Sequence, residues 1–197
     1  NHSRYFVANA DNGSTELLLE DKDEAWIDVR NTWPYQDKAG WKFINGGKEF
    51  LYTTEKDGWS HVYRYDIEKR EEFLVTKGDY DVIRPLSFDE EKGDIYFIAS
   101  PKDPTERYLY KTSENNELEL VTPKLLEGTH NYQISTKSRY AFHSFSNYYT
   151  RPMKGIVNLP DHEYINKDDD ILSKFNPSLK DSNPLEFFQI TTDDYVK

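Results

Sequence analysis

Glu49-Phe50-Leu51-Tyr52-Thr53-Thr54-Glu55 reads as a β-strand that returns twice along the chain. Its first echo is Asp94-Ile95-Tyr96-Phe97-Ile98-Ala99-Ser100, and its second is Arg139-Tyr140-Ala141-Phe142-His143-Ser144-Phe145; each copy starts 45 residues after the last. Aromatic and β-branched side chains, which pack well on a pleated surface, are frequent in these copies. The surroundings repeat in phase. A turn precedes each copy, at Asn45-Gly46-Gly47-Lys48, Asp89-Glu90-Glu91-Lys92-Gly93 and Thr136-Lys137-Ser138. An apolar strand precedes each turn, around Phe43, over 83–88 and over 132–134. Val62-Tyr63-Arg64-Tyr65 follows the first copy and Leu109-Tyr110-Lys111 the second. Phe73-Leu74-Val75-Thr76 and Leu118-Glu119-Leu120-Val121-Thr122 then close their units. Each unit is four short strands joined by tight turns. Four strands in a period of about 40–50 residues mark a β-propeller blade. One blade cannot bury both faces of its sheet, so blades must stack. The expected fold is all-β.

Outward from these units the chain becomes less regular. Residues 53–66 form the middle hairpin of the first whole unit. Asp57-Gly58 makes its turn, since Gly accepts positive φ and Asp bonds its own backbone ahead. His61, Tyr63, Tyr65 and Ile67 then share one face. Upstream, Arg4-Tyr5-Phe6-Val7-Ala8 and Glu16-Leu17-Leu18-Leu19 read as two strands around Asp11-Asn12-Gly13-Ser14, a turn of the Asn-Gly kind. Residues 21–47 are irregular and hold Trp26, Trp33 and Trp41, punctuated by Pro34 and Gly40. Two readings stay open for these Trp: caps on the core, or ligand-facing side chains on a long functional loop. Downstream the third unit decays. Residues 153–159 and 163–165 are its expected last strands. Residues 168–175 read as a short helix with an acidic first turn, which suits the helix dipole. Asn176-Pro177 and Asn183-Pro184 bracket a linker. Residues 185–192 are a fresh strand with no partner left, and Asp193-Asp194 is its turn.

Composition narrows the function. The 197 residues carry a net charge of -11, with 15 Tyr, 11 Phe and 4 Trp. That charge disfavours nucleic acid and anionic membranes as partners, because nothing here neutralises a run of phosphates. There is no Cys, which removes thiol catalysis, thiolate metal sites and disulfides together. The longest apolar runs are about five residues, far short of the ~18 that span a bilayer.

Motifs for chemistry are sparse. Gly58-Trp59-Ser60-His61-Val62 matches a nucleophile elbow for four positions. The fifth should be Gly, and a helix should follow; here Val62 opens a strand. Ser60 and His61 are therefore read as structural. The five His (His2, His61, His130, His143, His162) show no zinc-ligand spacing. The run 168–170 lacks the Gly and distal Glu of a calcium loop. No Gly-rich phosphate loop is present. No metal or cofactor is expected.

With the blades laid out, the chain resembles the N-terminal β-propeller region of the dipeptidyl peptidase IV family, in the prolyl-oligopeptidase clan of serine peptidases. Thr54-Glu55-Lys56-Asp57-Gly58-Trp59-Ser60-His61-Val62-Tyr63 is similar to the family run S-E-(R/K)-D-G-x-x-H-(L/I)-Y, with Thr54 in place of Ser and Val62 in place of Leu or Ile. Thr76-Lys77-Gly78-Asp79-Tyr80-Asp81-Val82 and Arg107-Tyr108-Leu109-Tyr110-Lys111 are family-like as well. Asn183-Pro184-Leu185-Glu186-Phe187-Phe188-Gln189-Ile190-Thr191-Thr192 resembles the family's approach to its α/β-hydrolase domain.

The resemblance implies an eight-bladed propeller of which this chain is the last three and a half blades, a partial β-propeller over 1–166. A linker and first strand over 167–197 would lead into the hydrolase domain. The catalytic Ser, Asp and His would then follow Lys197, and the paired Glu that grip a substrate's free N-terminus would precede Asn1. Trp26 and Arg30, in Trp26-Ile27-Asp28-Val29-Arg30, match the family's substrate-lining segment. The implied partners are short peptides, the chain's own hydrolase domain and a second copy of the full-length protein. The implied source is bacterial and the location periplasmic or otherwise extracytoplasmic, with the cytoplasm left open. The alternative is a self-contained propeller that binds a protein or ligand through its central face. It would need residues 185–192 to pair with the N-terminal hairpin. A glycan-active domain is set aside, because no carboxylates are paired for it.

Overall fold

The computed structural model describes residues 2–27, 41–113, 117–148 and 152–165, together with 186, 188 and 190–192. No described helix is long and apolar enough to cross a membrane. Strands β1 (His2–Ala8) and β2 (Thr15–Lys22) form a two-stranded antiparallel sheet. The first blade is a meander of β3 (Lys42–Ile44), β4 (Glu49–Thr54), β5 (His61–Asp66) and β6 (Glu71–Leu74). The second is β7 (Val82–Asp89), β8 (Asp94–Ala99), β9 (Tyr108–Thr112) and β10 (Glu119–Leu120). The third holds β11 (Thr129–Ile134), β12 (Tyr140–Ser146) and β13 (Met153–Asn158). The expected units and their phase are all present.

Strand alternation explains the stacking. Successive side chains on a strand point to opposite faces. On β4, Phe50 and Tyr52 enter a cluster with Leu19 from β2, while Leu51 enters a second cluster with Val82, Ile95 and Phe97 of the second blade. On β8, Ile95, Phe97 and Ala99 face the first blade, and Tyr96 and Ile98 face Tyr132, Ala141 and Val157 of the third. All six residues of β8 are buried. Half-buried Trp41 joins the N-terminal hairpin to the first blade: its ring stacks on Phe50 at 4.2 Å and lies 4.8 Å from Tyr5. For this Trp the core-capping reading holds.

One turn recurs, with an Asx side chain opening it and a left-handed residue closing it four positions on. Asn9 Oδ1 accepts the N–H groups of Asp11 and Asn12, and Gly13 N–H returns to the Asn9 carbonyl. Asp66 does the same for Glu68 and Lys69, with Arg70 closing the turn. Asp89 does so for Glu91 and Lys92, with Gly93 closing. The closing residues have φ of 71°, 57° and 74°. The N-terminal turn is thus longer than the Asn-Gly turn expected, because Asn9 organises it from outside. Asn158 and His162 (φ 58°) repeat the backbone bond in the third blade.

Fourth strands are short but latched. Val62 N–H donates to Thr76 Oγ1 at 2.9 Å, and Leu109 N–H to Thr122 Oγ1 at 2.8 Å. Thr76 and Thr122 are both buried. The third blade's expected fourth strand is reduced to one antiparallel bridge, Val157 to Tyr164. The helix expected over 168–175 lies outside the described residues, as do Trp33, Pro34 and Gly40. Of the strand expected over 185–192, the described residues are exposed and in no strand.

The recurring turn makes a test. Asp89→Ala should cost about 1–2 kcal/mol, because it strips two N–H groups of their acceptor. Gly93→Ala should cost about 1–2 kcal/mol through its left-handed backbone. Urea unfolding should show lower midpoints at unchanged slope; unshifted midpoints would remove the turn's structural role.

Candidate functional site

The end of the first blade that carries the turn between β4 and β5 also receives the chain leaving β2. Thr54 Oγ1 donates to Asp21 Oδ2 at 2.5 Å, which ties the two elements together there. Trp26 follows directly. Asp23 Oδ1 accepts the N–H groups of Ala25 (2.7 Å) and Trp26 (3.0 Å), so the backbone turns sharply. Those N–H groups, Trp26 first, hold the Asp23 carboxyl below its ordinary value. The indole is 73% exposed. It borders a shallow concavity lined by Asp21, Asp23, Thr54, Glu55 and Lys56. Arg30, its companion in the sequence reading, lies outside the described residues.

Beside this surface runs a polar cluster that sequence reasoning missed. Lys56 Nζ pairs with Glu72 Oε2 and donates to the Tyr52 hydroxyl at 3.1 Å, and it sits 4.4 Å above the Tyr63 ring. The Tyr52 hydroxyl donates to Glu72 Oε1. Burial first, then the Glu72 carboxylate, pushes Tyr52 well above the usual phenol range, so its proton stays in place. The members lie on three elements, and the separation of 16 positions between Lys56 and Glu72 hides the pair from any local motif.

Ser60 and His61 do not form a nucleophile and base. Ser60 is 1% exposed; its hydroxyl donates to the Val82 carbonyl at 3.2 Å, and its N–H donates to Asp81 Oδ1 at 2.8 Å. Val82 N–H returns to the Ser60 carbonyl at 2.7 Å. Ser60 thus clasps the first blade to the strand that opens the second. His61 Nδ1 lies 2.8 Å from Asp57 Oδ2, and its Nε2 is buried without a hydrogen-bond partner. Burial pushes Asp57 up, but His61, the Trp59 N–H and the Tyr63 hydroxyl together leave the carboxyl below its ordinary value. The structural reading of both residues agrees with this geometry. Among the described residues no group of three or more His, Asp or Glu is placed to hold a metal ion.

A second cluster of ionisable rings fills the third blade. His130 on β11 and His143 on β12 stack with centroids 5.1 Å apart, and His162 meets His143 edge-on at 4.8 Å. His130 Nε2 lies 2.8 Å from the Leu126 carbonyl, and His130 Nδ1 lies 2.9 Å from His143 Nε2. His143 Nδ1 meets the Tyr164 hydroxyl at 2.5 Å, and His162 Nε2 meets that of Tyr132 at 2.8 Å. Spacing along the chain conceals the group. The signal lay in the hairpin register, which sets Tyr132 opposite His143 and His130 opposite Phe145.

The model of the family described as the dipeptidyl peptidase IV (DPP IV) N-terminal region matches residues 1–152. Dipeptidyl peptidase 4 of Trichophyton rubrum is 27% identical over 110 residues, which is 56% of this chain and 13% of that protein. Dipeptidyl peptidase 4 of Arthroderma otae is 28% identical over 120 residues, covering 59% of this chain and 15% of its own length. The crystal structure of Porphyromonas gingivalis dipeptidyl peptidase 4 superposes with a TM-score of 0.75 at 21% identity, over 98% of this chain and 26% of that one. At that identity the superposition shows a shared fold, that of a partial propeller. The chain spans only a small part of each relative it matches.

Stability should separate the clasp from the exposed indole. Ser60→Ala should cost about 0.5–1.5 kcal/mol, the worth of a typical buried hydrogen bond. Trp26→Ala should fall within about 0.5 kcal/mol of the parent, as exposed substitutions do. A loss above about 1 kcal/mol for Trp26→Ala in urea unfolding would make that indole structural rather than available to a ligand.

Proposed function

The chain belongs to the dipeptidyl peptidase IV N-terminal region family, and from that membership we propose that it is the propeller part of a serine exopeptidase that removes dipeptides from short peptides. In the intact enzyme the blades would wall a cavity and admit only short, extended chains. They would hold those chains against a nucleophile on a separate α/β-hydrolase domain. The observation that carries the reading is the family match, which runs unbroken through the hairpin, both four-stranded sheets and most of the third blade. The absence of a nucleophile elbow in the sequence fits a division of labour, with positioning here and chemistry elsewhere.

Trp26 and Arg30 are the proposed lining residues. An exposed indole beside Ile27 and among Asp21, Lys22, Asp23, Glu55 and Lys56 suits contact with the apolar and polar parts of a peptide. The full-length enzyme would act as a homodimer outside the cytoplasm. The alternative of a self-contained binding module called for the N-terminal hairpin to gain a strand from residues 185–192. Among the described residues β1 and β2 form a sheet of their own, so no observation favours it.

Kinetics of the full-length protein test the proposal. Trp26→Ala and Arg30→Ala should each raise KM for X-Pro peptides of four or more residues by about 3–10-fold, with kcat within about twofold, because they remove binding rather than chemistry. Unchanged KM would remove the lining role. A full-length protein that releases no X-Pro dipeptides would overturn the enzyme reading itself.

A further inference from the structure

We propose that the third blade is an acid-labile element: the stacked rings of His130, His143 and His162 keep it closed only while they are neutral, and mild acid opens it while the first two blades stay folded.

The hydrogen bonds fix where the protons of His130 and His143 sit. The Leu126 carbonyl can only accept, so His130 Nε2 carries a hydrogen. A neutral His130 then has a bare Nδ1, which must accept from His143 Nε2. His143 Nδ1 is bare in turn and accepts from the Tyr164 hydroxyl. One added proton on His143 Nδ1 would reverse its bond to the Tyr164 hydroxyl, which must then accept there and find another acceptor for its own hydrogen. A second would set two N–H groups against each other across the His130–His143 contact.

Nor is there a counter-charge on these rings among the described residues. The rings' hydrogen-bond partners are each other, the Tyr132 and Tyr164 hydroxyls and the Leu126 carbonyl. Their stacking partners are Tyr108, Tyr132 and Phe145. Among the described residues, the charged groups on the surrounding elements are Glu106 and Arg107 before β9, Lys124 and Glu127 before β11, Lys137 and Arg139 before β12, Lys154 on β13, and Asp161 and Glu163 after it. Of these, all but Glu106 and Arg107 are exposed. Glu106 is bonded to the Tyr108 hydroxyl, and the Arg107 guanidinium to Ser100 Oγ and to the Pro104 and Glu106 carbonyls. The first blade differs, because its buried His61 faces the Asp57 carboxylate at 2.8 Å.

Burial lowers all three rings from the ordinary imidazole value, His130 and His162 to about 4 and His143 further. A group that titrates lower when folded than when unfolded contributes stability above its unfolded value near 6.5, and loses it as pH falls toward the folded value. The window therefore runs from about pH 6.5 down to about 4. Each ring exposed on opening multiplies the open population by up to about tenfold per pH unit within it. Opening couples to the interface with the second blade through one residue. Tyr132 packs against Tyr96 and Leu109, and its hydroxyl bonds both Thr122 Oγ1 (3.0 Å) and His162 Nε2.

Hydrogen exchange read by mass spectrometry on the 197-residue chain tests this. Measurements at about pH 7, 6 and 5, each corrected for intrinsic rates, should show β11, β12 and β13 losing protection by at least about tenfold per pH unit beyond β4, β5 and β8. Equal slopes across all blades, or unchanged protection in β11 to β13, would overturn the proposal. His143→Phe removes the central titrating ring and should flatten the slope if the variant folds. The second measurement needs no variant. Imidazole nitrogen NMR should find His130 and His143 neutral and protonated on Nε2 in the folded chain at about pH 5.5. Rings that become charged near 6.5 while the blade stays protected would equally sink the idea.

Discussion

The central strands of the first two blades are buried on both faces, and that constraint organises the rest. A four-stranded meander has two apolar faces and no means of covering either alone. Leu51 and Phe50 are neighbours on β4 yet belong to different clusters, one facing the second blade and one facing the hairpin. Tyr96 and Phe97 divide between clusters in the same way on β8. The blades are thus bound to each other by the same residues that make them strands. A substitution in β4 or β8 acts on an interface as much as on a sheet. Burying a large side chain such as Phe50 or Phe97 is worth roughly 1.5–3 kcal/mol, so the stack as a whole outweighs any single polar contact.

Stacking leaves the strand ends as the place where polar groups must be settled. Propeller turns here solve that with short-range chemistry. Asp66 and Asp89 cap their own turns, and Thr76 and Thr122 supply acceptors where the fourth strand runs out. At the end bearing Trp26 the solution is longer in range: Asp21 reaches Thr54, and Ser60 clasps Val82. These contacts hold the surface around the exposed indole in place without occupying it. A Ser and a His in adjacent positions are consumed by that structural work, which is why they cannot also serve as a catalytic pair.

How much of this was legible in the sequence follows from the range of each interaction. The blades were readable because alternation and turn residues act within a few positions, and three copies in phase reinforce one another. Ser60 could be set aside because the position after His61 lacks the Gly an elbow needs. The shrinkage of β10 to two residues, and of the third blade's last strand to a bridge at Tyr164, was not readable. Apolar content predicts a strand but not how many of its hydrogen bonds find partners. The Lys56–Glu72–Tyr52 cluster was hidden because three elements contribute to it. Trp26 was picked out by resemblance alone, and local physics says only that its indole is exposed.

The buried histidines show why repetition of fold does not imply repetition of chemistry. His61 and His143 are both buried inside a blade, His61 at the start of β5, the third strand of the first blade, and His143 on β12, the second strand of the third. His61 follows a turn whose Asp57 reaches back to it, so a charge on that ring has a partner within the hairpin. His143 follows the turn at 135–139, and its ring nitrogens meet another imidazole and a phenol instead. A neutral network of that kind packs well, but a charge on both rings would set two N–H groups against each other at the His130–His143 contact. The family run that contains Asp57 and His61 therefore carries its own charge compensation, whereas the third blade does not. The first and third blades thus share a strand plan but give their buried imidazoles different neighbours, a carboxylate in one and a second imidazole with a phenol in the other.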